Sequence, residues 1–317
     1  MNTLYLVIPC YNEEDVLPET AGRLENKMLA LIEQGAISAE SRIVFVDDGS
    51  EDSTWQLITD LHRVHPIFSG LRLSRNRGHQ NALLAGLLTV REEADMTISL
   101  DADLQDDLDA IDEMVTKYTA GIDVVYGVRK TRDTDKWFKR WTAEQYYRFI
   151  QAFGGEVVFN HADYRLLSRR ALEALSLYQE QALFLRGIVP MMGYSSDVVY
   201  YDRGARFAGV SKYPLAKMLA LAIDGITSLS IRPLRLITLA GMLVLLQTLI
   251  LSVVFGVQHV AGTSIWGIRI VLLFISGIGG LNLLALGIVG EYAGKTYMEV
   301  KRRPRFFLDE VLHVTSE

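Results

Sequence analysis

Four aspartates crowd together where an apolar run ends: Met96-Thr97-Ile98-Ser99-Leu100 leads into Asp101, Asp103, Asp106 and Asp107 within the stretch SLDADLQDD. Alternate side chains of an extended segment share a face, so Asp101 and Asp103 are expected to point together while Ala102 points away. Two adjacent carboxylates repel and raise one another's pKa unless a cation lies between them. A hard divalent ion, Mg²⁺ or Mn²⁺, suits such oxygen ligands, with Gln105 next on the same alternation and a diphosphate and water filling the remaining positions. Asp106 and Asp107 are read differently, as acids before a helix expected at 108–118, where they suit its dipole.

The elements that must position these acids follow from the pattern upstream and downstream. Short β-branched or aliphatic runs at Leu4–Ile8, Arg42–Val46, Gly70–Leu73, Met96–Leu100 and Val124–Gly127 alternate with helix-like stretches at about 14–34, 52–64, 79–91 and 107–119. That alternation predicts parallel strands with crossover helices. In an open α/β sheet the ligand crevice lies beyond the carboxyl ends of the strands. There the chain places PCYNEED, DDGSEDST, SRNRGHQNALLAG and DADLQDD in succession. Asp48, Ser50 or Asp52 taken singly would serve equally as helix caps; four such stretches at one sheet edge argue for a held nucleotide. Arg129 and Arg132, after the fifth strand, either guide phosphate or are solvated surface charge.

Composition bounds the classes. The chain has 317 residues, 32 Lys and Arg against 38 Asp and Glu, a formal charge of −6 and a hydrophobic fraction of 50%. An acidic balance argues against general nucleic-acid binding, which needs a basic surface to displace counterions. The single cysteine, Cys10, excludes an intramolecular disulfide framework and a Cys-rich zinc site. The first apolar stretch stops at Pro9 without a basic leader, so no signal peptide is expected.

These motifs together resemble the family 2 glycosyltransferases of GT-A fold, and more narrowly the polyprenyl-phosphate glycosyltransferases, the group of dolichyl-phosphate mannose synthases and bacterial bactoprenol glucosyltransferases. The resemblance runs through VIPCYNEE at 7–14, VDDGSEDST at 46–54, NRGHQNALLAG at 76–86, DADLQD at 101–106, ADYRLLSRRALEAL at 162–175 and, most specifically, RFAGVSKYPLAKMLALAIDGITSLSIRPLR at 206–235. It implies a Rossmann-like, mixed but mainly parallel sheet. It also implies that Pro9, Tyr11, Asn12 and Glu13, with Asp47 and Asp48, hold base and ribose, that Asp101, Asp103 and Gln105 hold metal and diphosphate, and that Arg206, Ser211 and Lys212 contact phosphate. Asp163 corresponds to an acid that faces the acceptor, and is the catalytic candidate beyond the metal site. An ion pair with Arg165 or Arg169 is the alternative use for it. Two departures stand out: Val210 occupies the place of a glutamate in Gly-Glu-Ser-Lys-Tyr, and His79 that of a lysine, which makes the charge there depend on pH.

The C-terminal third turns apolar. Leu234 to Val257 would reach roughly 36 Å as a helix, enough for a hydrocarbon layer of about 30 Å, and Ile270 to Val289 is a second uncharged run. Lys212, Lys217, Arg232 and Arg235 precede the first, and Lys295, Lys301, Arg302, Arg303 and Arg305 follow the second, so both termini are expected in the cytosol. Tyr213 to Ile231 reads as an amphipathic helix along the membrane interface or under the catalytic domain. DKWFKRWTAEQYYRFI at 135–150 mixes aromatic and basic residues suited to a headgroup-level surface, or to an ordinary amphipathic core helix. Its Gln145-Tyr-Tyr-Arg148-Phe149 has only a superficial likeness to the Gln-x-x-Arg-Trp of polysaccharide synthases. The expected organisation is a catalytic domain at 1–205, a phosphate-contacting segment and interfacial helix at 206–233, a two-helix transmembrane hairpin at 234–292 and a cytosolic basic tail at 293–317.

The expected activity is inverting transfer of one sugar, UDP-glucose being the favoured donor with UDP-GlcNAc and GDP-mannose as alternatives, to polyprenyl (bactoprenyl) phosphate. Competing readings are a nucleotidyltransferase, which has no evident need of the apolar hairpin, and a membrane-tethered nucleotide-sugar sensor without turnover. Whether the chain forms a homo-oligomer is left open, although two thin spans would gain from self-association.

Overall fold

A computed structural model describes residues 1–130, 161–181, 184–202 and 267–312, with scattered residues between 237 and 260. The elements in chain order are β1 (Leu4–Cys10), α1 (Leu17–Glu33), β2 (Arg42–Asp47), α2 (Thr54–Val64), β3 (Phe68–Leu73), α3 (His79–Thr89), β4 (Met96–Ser99), α4 (Ala110–Thr119), β5 (Val124–Arg129), β6 (His161–Ser168), α5 (Arg169–Ser176), α6 (Leu185–Met191), β7 (Ser196–Tyr201), α7 (Gly267–Lys301) and β8 (Leu308–Leu312). The strands form one mixed sheet in the order β7-β5-β6-β4-β1-β2-β3-β8. β4, β1, β2 and β3 are mutually parallel, and β7 runs parallel to β5. β6 is inserted antiparallel between β4 and β5, and β8 closes the far edge antiparallel to β3.

Every residue of β1 is buried, as expected of a strand covered on both faces, which reads as a continuous apolar run instead of an alternating one. Leu4, Leu6, Ile8 and Cys10 join a core with Leu17, Leu24, Met28 and Leu31 of α1. Tyr5 and Val7 belong to a second core with Ala82, Leu83 and Leu87 of α3 and Leu172 and Leu175 of α5. Fully burying each such Leu or Val contributes about 1.5–3 kcal/mol, so the central strands anchor the loops at their carboxyl ends.

The chain after the apolar region returns to this sheet. Gln181 N–H donates to Glu299 Oε1 at 2.6 Å, Arg305 Nη2 to the Tyr178 carbonyl at 2.6 Å, and Ser74 N–H to the Phe307 carbonyl at 3.0 Å. The segment expected as a basic tail, 293–317, therefore carries the end of α7 and an edge strand. Its charges do not stand alone: Arg72 at the β3 edge pairs with Glu310 at 3.1 Å.

α7 is a single 35-residue helix that exposes Leu283, Leu284, Leu286 and Val289. Among the described residues no helix is long and apolar enough to cross a membrane; positions 270, 272, 273 and 276 of the apolar run have side chains outside the description. Most of the run expected as a first span, 234–257, the interfacial stretch 213–231, the aromatic-basic stretch 135–150 with Arg132, and the segment holding Arg206, Ser211 and Lys212 all lie outside the described residues.

Candidate active site

The carboxyl ends of β1 and β2 are laced together. Pro9 and Cys10 are still strand residues, in register with Val46 and Asp47. The chain then reverses at Asn12, whose φ of 52° lies in the left-handed region that asparagine tolerates better than most residues. Asn12 N–H donates to Ser50 Oγ at 3.0 Å, Asn12 Oδ1 accepts from Glu51 N–H at 2.9 Å, and Glu13 N–H donates to Thr54 Oγ1 at 2.9 Å. Tyr11 stands partly exposed at the lip. The stretch resembling a base-and-ribose cradle is thus held rigid by the DDGSEDST loop across from it.

Asp47 and Asp48 occupy different surroundings from those an open cleft would give. Asp47 is fully buried; one oxygen accepts from Ser50 N–H at 3.1 Å, and the other lies 3.6 Å from Arg72 Nε. Asp48 accepts from Arg77 N–H at 2.6 Å and Gly78 N–H at 2.8 Å, so it clamps the loop after β3. Burial raises the pKa of both, against hydrogen bonds that favour the anion. Gly49, at φ 69°, makes the clamp possible: a Cβ there would come within 2.7 Å of the Arg75–Asn76 backbone.

The acidic stretch after β4 is a turn, not the extended segment that strict alternation assumed. Leu104 adopts φ 56°, costly for a branched side chain, and Asp103 Oδ1 accepts from Gln105 N–H at 3.2 Å. Asp101 keeps 38% of its side chain exposed, with Oδ1 3.6 Å from His79 Nε2. Partial desolvation in this crowded cluster, opposed by His79 and reinforced by the charges of Asp106, Asp163 and Asp103, raises its pKa. Such a convergence of negative charge fits a divalent cation, which would relieve it. Among the described residues no group of three or more His, Cys, Asp or Glu side chains is arranged to hold a metal alone. Asp101, Asp103 and Gln105 are the side chains of this turn that could offer oxygens to a cation.

Asp106 is not the solvated helix-dipole acid that its position suggested. α4 starts only at Ala110, and Asp106 is buried, accepting from Tyr201 OH at 2.6 Å and Arg129 Nη2 at 3.3 Å. Arg129 Nε also donates to Tyr201 OH at 3.1 Å. Burial, with Asp106 beside it, pushes the Tyr201 phenol upward, so it remains a proton donor in this brace. Arg129, read as a phosphate guide or solvated charge, is used in fixing the turn from below.

Across β6 stands a second charged group. Asp163 lies near the start of β6, two residues before Arg165, which pairs with Ser99 at the end of β4 in the antiparallel ladder. Arg165, wholly buried, donates to Asp163 Oδ1 at 2.6 Å and to the Leu185 carbonyl at 3.2 Å. Arg186 donates through Nε to Oδ1 at 3.2 Å and through Nη2 to Oδ2 at 2.9 Å. His79 Nε2 lies 3.7 Å from Oδ2, between Asp163 and Asp101. Burial works to raise the pKa of Asp163, but Arg186, Arg165 and His79 outweigh it and hold the carboxyl well below the usual range. The ion pair read as the alternative for Asp163 is present with Arg165, while Arg169 pairs with Asp95 at 3.2 Å.

Arg186 was missed in the sequence. A signal existed: it is the lone charge in the apolar stretch FLRGIVP at 184–190. The site residues thus fall in order along one sheet edge: the Tyr11–Glu13 and Asp47–Asp48 loops, then the Asp101–Gln105 turn, then Asp163 with Arg186.

The family model described as glycosyl transferase family 2 matches residues 5–176. An uncharacterized glycosyltransferase, YkoT, from Bacillus subtilis is 46% identical, covering 96% of this chain and 91% of that protein. A prophage bactoprenol glucosyl transferase homolog from Escherichia coli is 35% identical, covering 96% and 98%. The SfII prophage-derived bactoprenol glucosyl transferase of Shigella flexneri is 36% identical, covering 96% of each.

Proposed function

Because the chain belongs to glycosyltransferase family 2, we propose that it transfers a single sugar, with inversion, from a nucleotide sugar to polyprenyl phosphate at the cytosolic face of a membrane. UDP-glucose is the proposed donor. One observation carries the reading: relatives bearing the name bactoprenol glucosyl transferase align over 96% of the chain, through both the sheet and the apolar C-terminal third. The order of groups along the sheet edge supports it, with nucleotide-side loops at one flank, the acidic turn in the middle and an arginine-braced carboxylate beyond. We read Leu234–Val257 and Ile270–Val289 as the membrane hairpin, the second within α7, whose exposed leucines need an apolar surrounding.

In the proposed reaction a phosphate oxygen of the acceptor attacks the anomeric carbon, the bond from that carbon to the diphosphate oxygen breaks, and nucleoside diphosphate leaves. Asp101, Asp103 and Gln105 would hold Mg²⁺ or Mn²⁺; when bound, the ion supplies Lewis-acid neutralisation of the leaving diphosphate. The Asp106–Arg129–Tyr201 brace fixes the turn that presents these ligands. The reaction needs no protein base, since a phosphate monoester with a second pKa near ~6 is largely dianionic at neutral pH. Asp163, held well below the ordinary carboxylate range, is poorly suited to take a proton. Orientation and exclusion of water by the surrounding loops supply the rest.

The test is incubation of the full-length protein in lipid nanodiscs with bactoprenyl phosphate and radiolabelled UDP-glucose, UDP-GlcNAc and GDP-mannose in separate arms. The expected result is label in an organic-soluble, mild-acid-labile product from UDP-glucose. Donor binding without product in every arm would replace the enzyme with a nucleotide-sugar sensor.

A further inference from the structure

Arg206, Ser211 and Lys212, which the resemblance implies for phosphate contact, lie outside the described residues, and three features of the charged group on β6 bear on recognition of the acceptor's anionic end. The first is position: β6 lies on the opposite side of β4 from β1 and β2, so a nucleotide held at the β1–β2 loops with its diphosphate at the Asp101 turn directs the next substrate toward Asp163. The second is geometry. Arg186 meets both oxygens of Asp163 at 3.2 and 2.9 Å, a side-on fork that fixes the plane of the guanidinium. The third is exposure: Asp163 and Arg165 are buried beneath, but Arg186 keeps 38% of its side chain exposed. Arg165 also ties down the start of α6 by donating to the Leu185 carbonyl, and Gln80 of α3 accepts from Leu185 N–H at 2.9 Å. The guanidinium is thus carried on a backbone held from two sides. Two arginines meet one carboxylate beside the acidic turn, and Arg186 is the one of them that reaches solvent.

We propose that Arg186 is the residue that meets the phosphate monoester of the acceptor, and that Asp163 is its positioning residue and not a general base. This rests on the polyprenyl-phosphate reading above. A planar guanidinium held in orientation by Asp163 loses little freedom on donating to a second oxyanion, and it donates in a fixed plane where a lysine offers a single point of charge.

Full-length wild type, Arg186→Gln, Arg186→Lys, Asp163→Asn and the Arg186→Gln/Asp163→Asn double variant are compared in nanodiscs. KM is measured for a polyprenyl phosphate, and donor affinity separately by equilibrium dialysis of radiolabelled UDP-glucose with Mg²⁺. Arg186→Gln is expected to raise the acceptor KM about ten- to a hundredfold, the loss of a charge-assisted contact, while donor affinity stays within about twofold, which also reports an intact fold. Arg186→Lys should recover part of the loss. Asp163→Asn should raise the same KM, and the double variant should be no worse than Arg186→Gln alone. Weakened donor binding in Arg186→Gln would reassign Arg186 to the diphosphate and overturn the proposal. An unchanged acceptor KM, or a kcat loss in Asp163→Asn without a KM change, would overturn it as well. If wild type itself transfers nothing to polyprenyl phosphate, the acceptor reading falls first and this inference with it; if wild type transfers and Arg186→Gln keeps its KM, only this inference falls.

Discussion

The two flanks of the acidic turn are built on different principles. On the β1–β2 side, carboxylates and carboxamides are spent on backbone amides: Asp48 on Arg77 and Gly78, Asn12 on Glu51, Asp47 on Ser50. On the β6 side, side chains hold side chains, with Asp163 between Arg165 and Arg186. Backbone-directed bonds fix the shape of loops, whereas a buried ionic group with one exposed member presents charge. The first flank suits a ligand recognised by fit, the second one recognised by charge. Substitutions on the first should therefore act mainly through stability, and on the second through both stability and acceptor use.

Substitutions sharpen this contrast in decreasing order of effect. Asp103→Ala, in the turn between the flanks, is expected to lower transfer by about a thousandfold or more by removing a metal ligand, with the melting temperature nearly unchanged; a single-turnover assay beside a thermal melt checks both.

Asp163→Asn leaves buried Arg165 without its anion and should cost about 3 kcal/mol of stability. Its pH dependence has a definite sign. The folded-state pKa is depressed, so the stabilisation is complete above the unfolded value near ~3.9 and declines as pH falls below it. The gap in melting temperature between wild type and Asp163→Asn should be widest near neutrality and narrow below about pH 4. A gap that widened on acidification would contradict the ion-pair account.

Asp48→Ala orphans two backbone donors and should cost about 2–3 kcal/mol, Asp48→Asn less because one acceptor oxygen remains. Hydrogen exchange at the Arg77 and Gly78 amides reads this locally, and unchanged protection would break the comparison on its first flank. At the partly exposed β8 edge, Glu310→Ala should change stability by less than about 1 kcal/mol, measured from the same melts.

The central sheet was legible because β1, β2, β4 and β5 are β-branched or aliphatic runs buried on both faces, and α1 to α4 fall between them close to the expected bounds. β6 was not, because HADYRLLS carries Asp163 and Arg165 in a buried strand, where they pair with each other and draw on Arg186, distant in sequence. β8 pairs with β3 across more than two hundred residues, which no local pattern announces. Within the site, the crowding of Asp101 and Asp103 was readable from residue type, but the alternation argument does not describe their placement: the left-handed Leu104 turns the chain there. Asp106 misled for a related reason, since only the fold brings Arg129 and Tyr201 against it. Sequence reveals which chemistry is concentrated; tertiary contacts decide which acids face a ligand and which hold the frame.

Metal-dependent single-turnover transfer to bactoprenyl phosphate tests the central claim most directly, with wild type and Asp103→Ala followed in nanodiscs from metal-free to saturating Mg²⁺ or Mn²⁺. The account predicts lipid-linked product that rises with metal in wild type and stays at background in Asp103→Ala. Equal product in metal-free wild type, or full activity in Asp103→Ala, would contradict it.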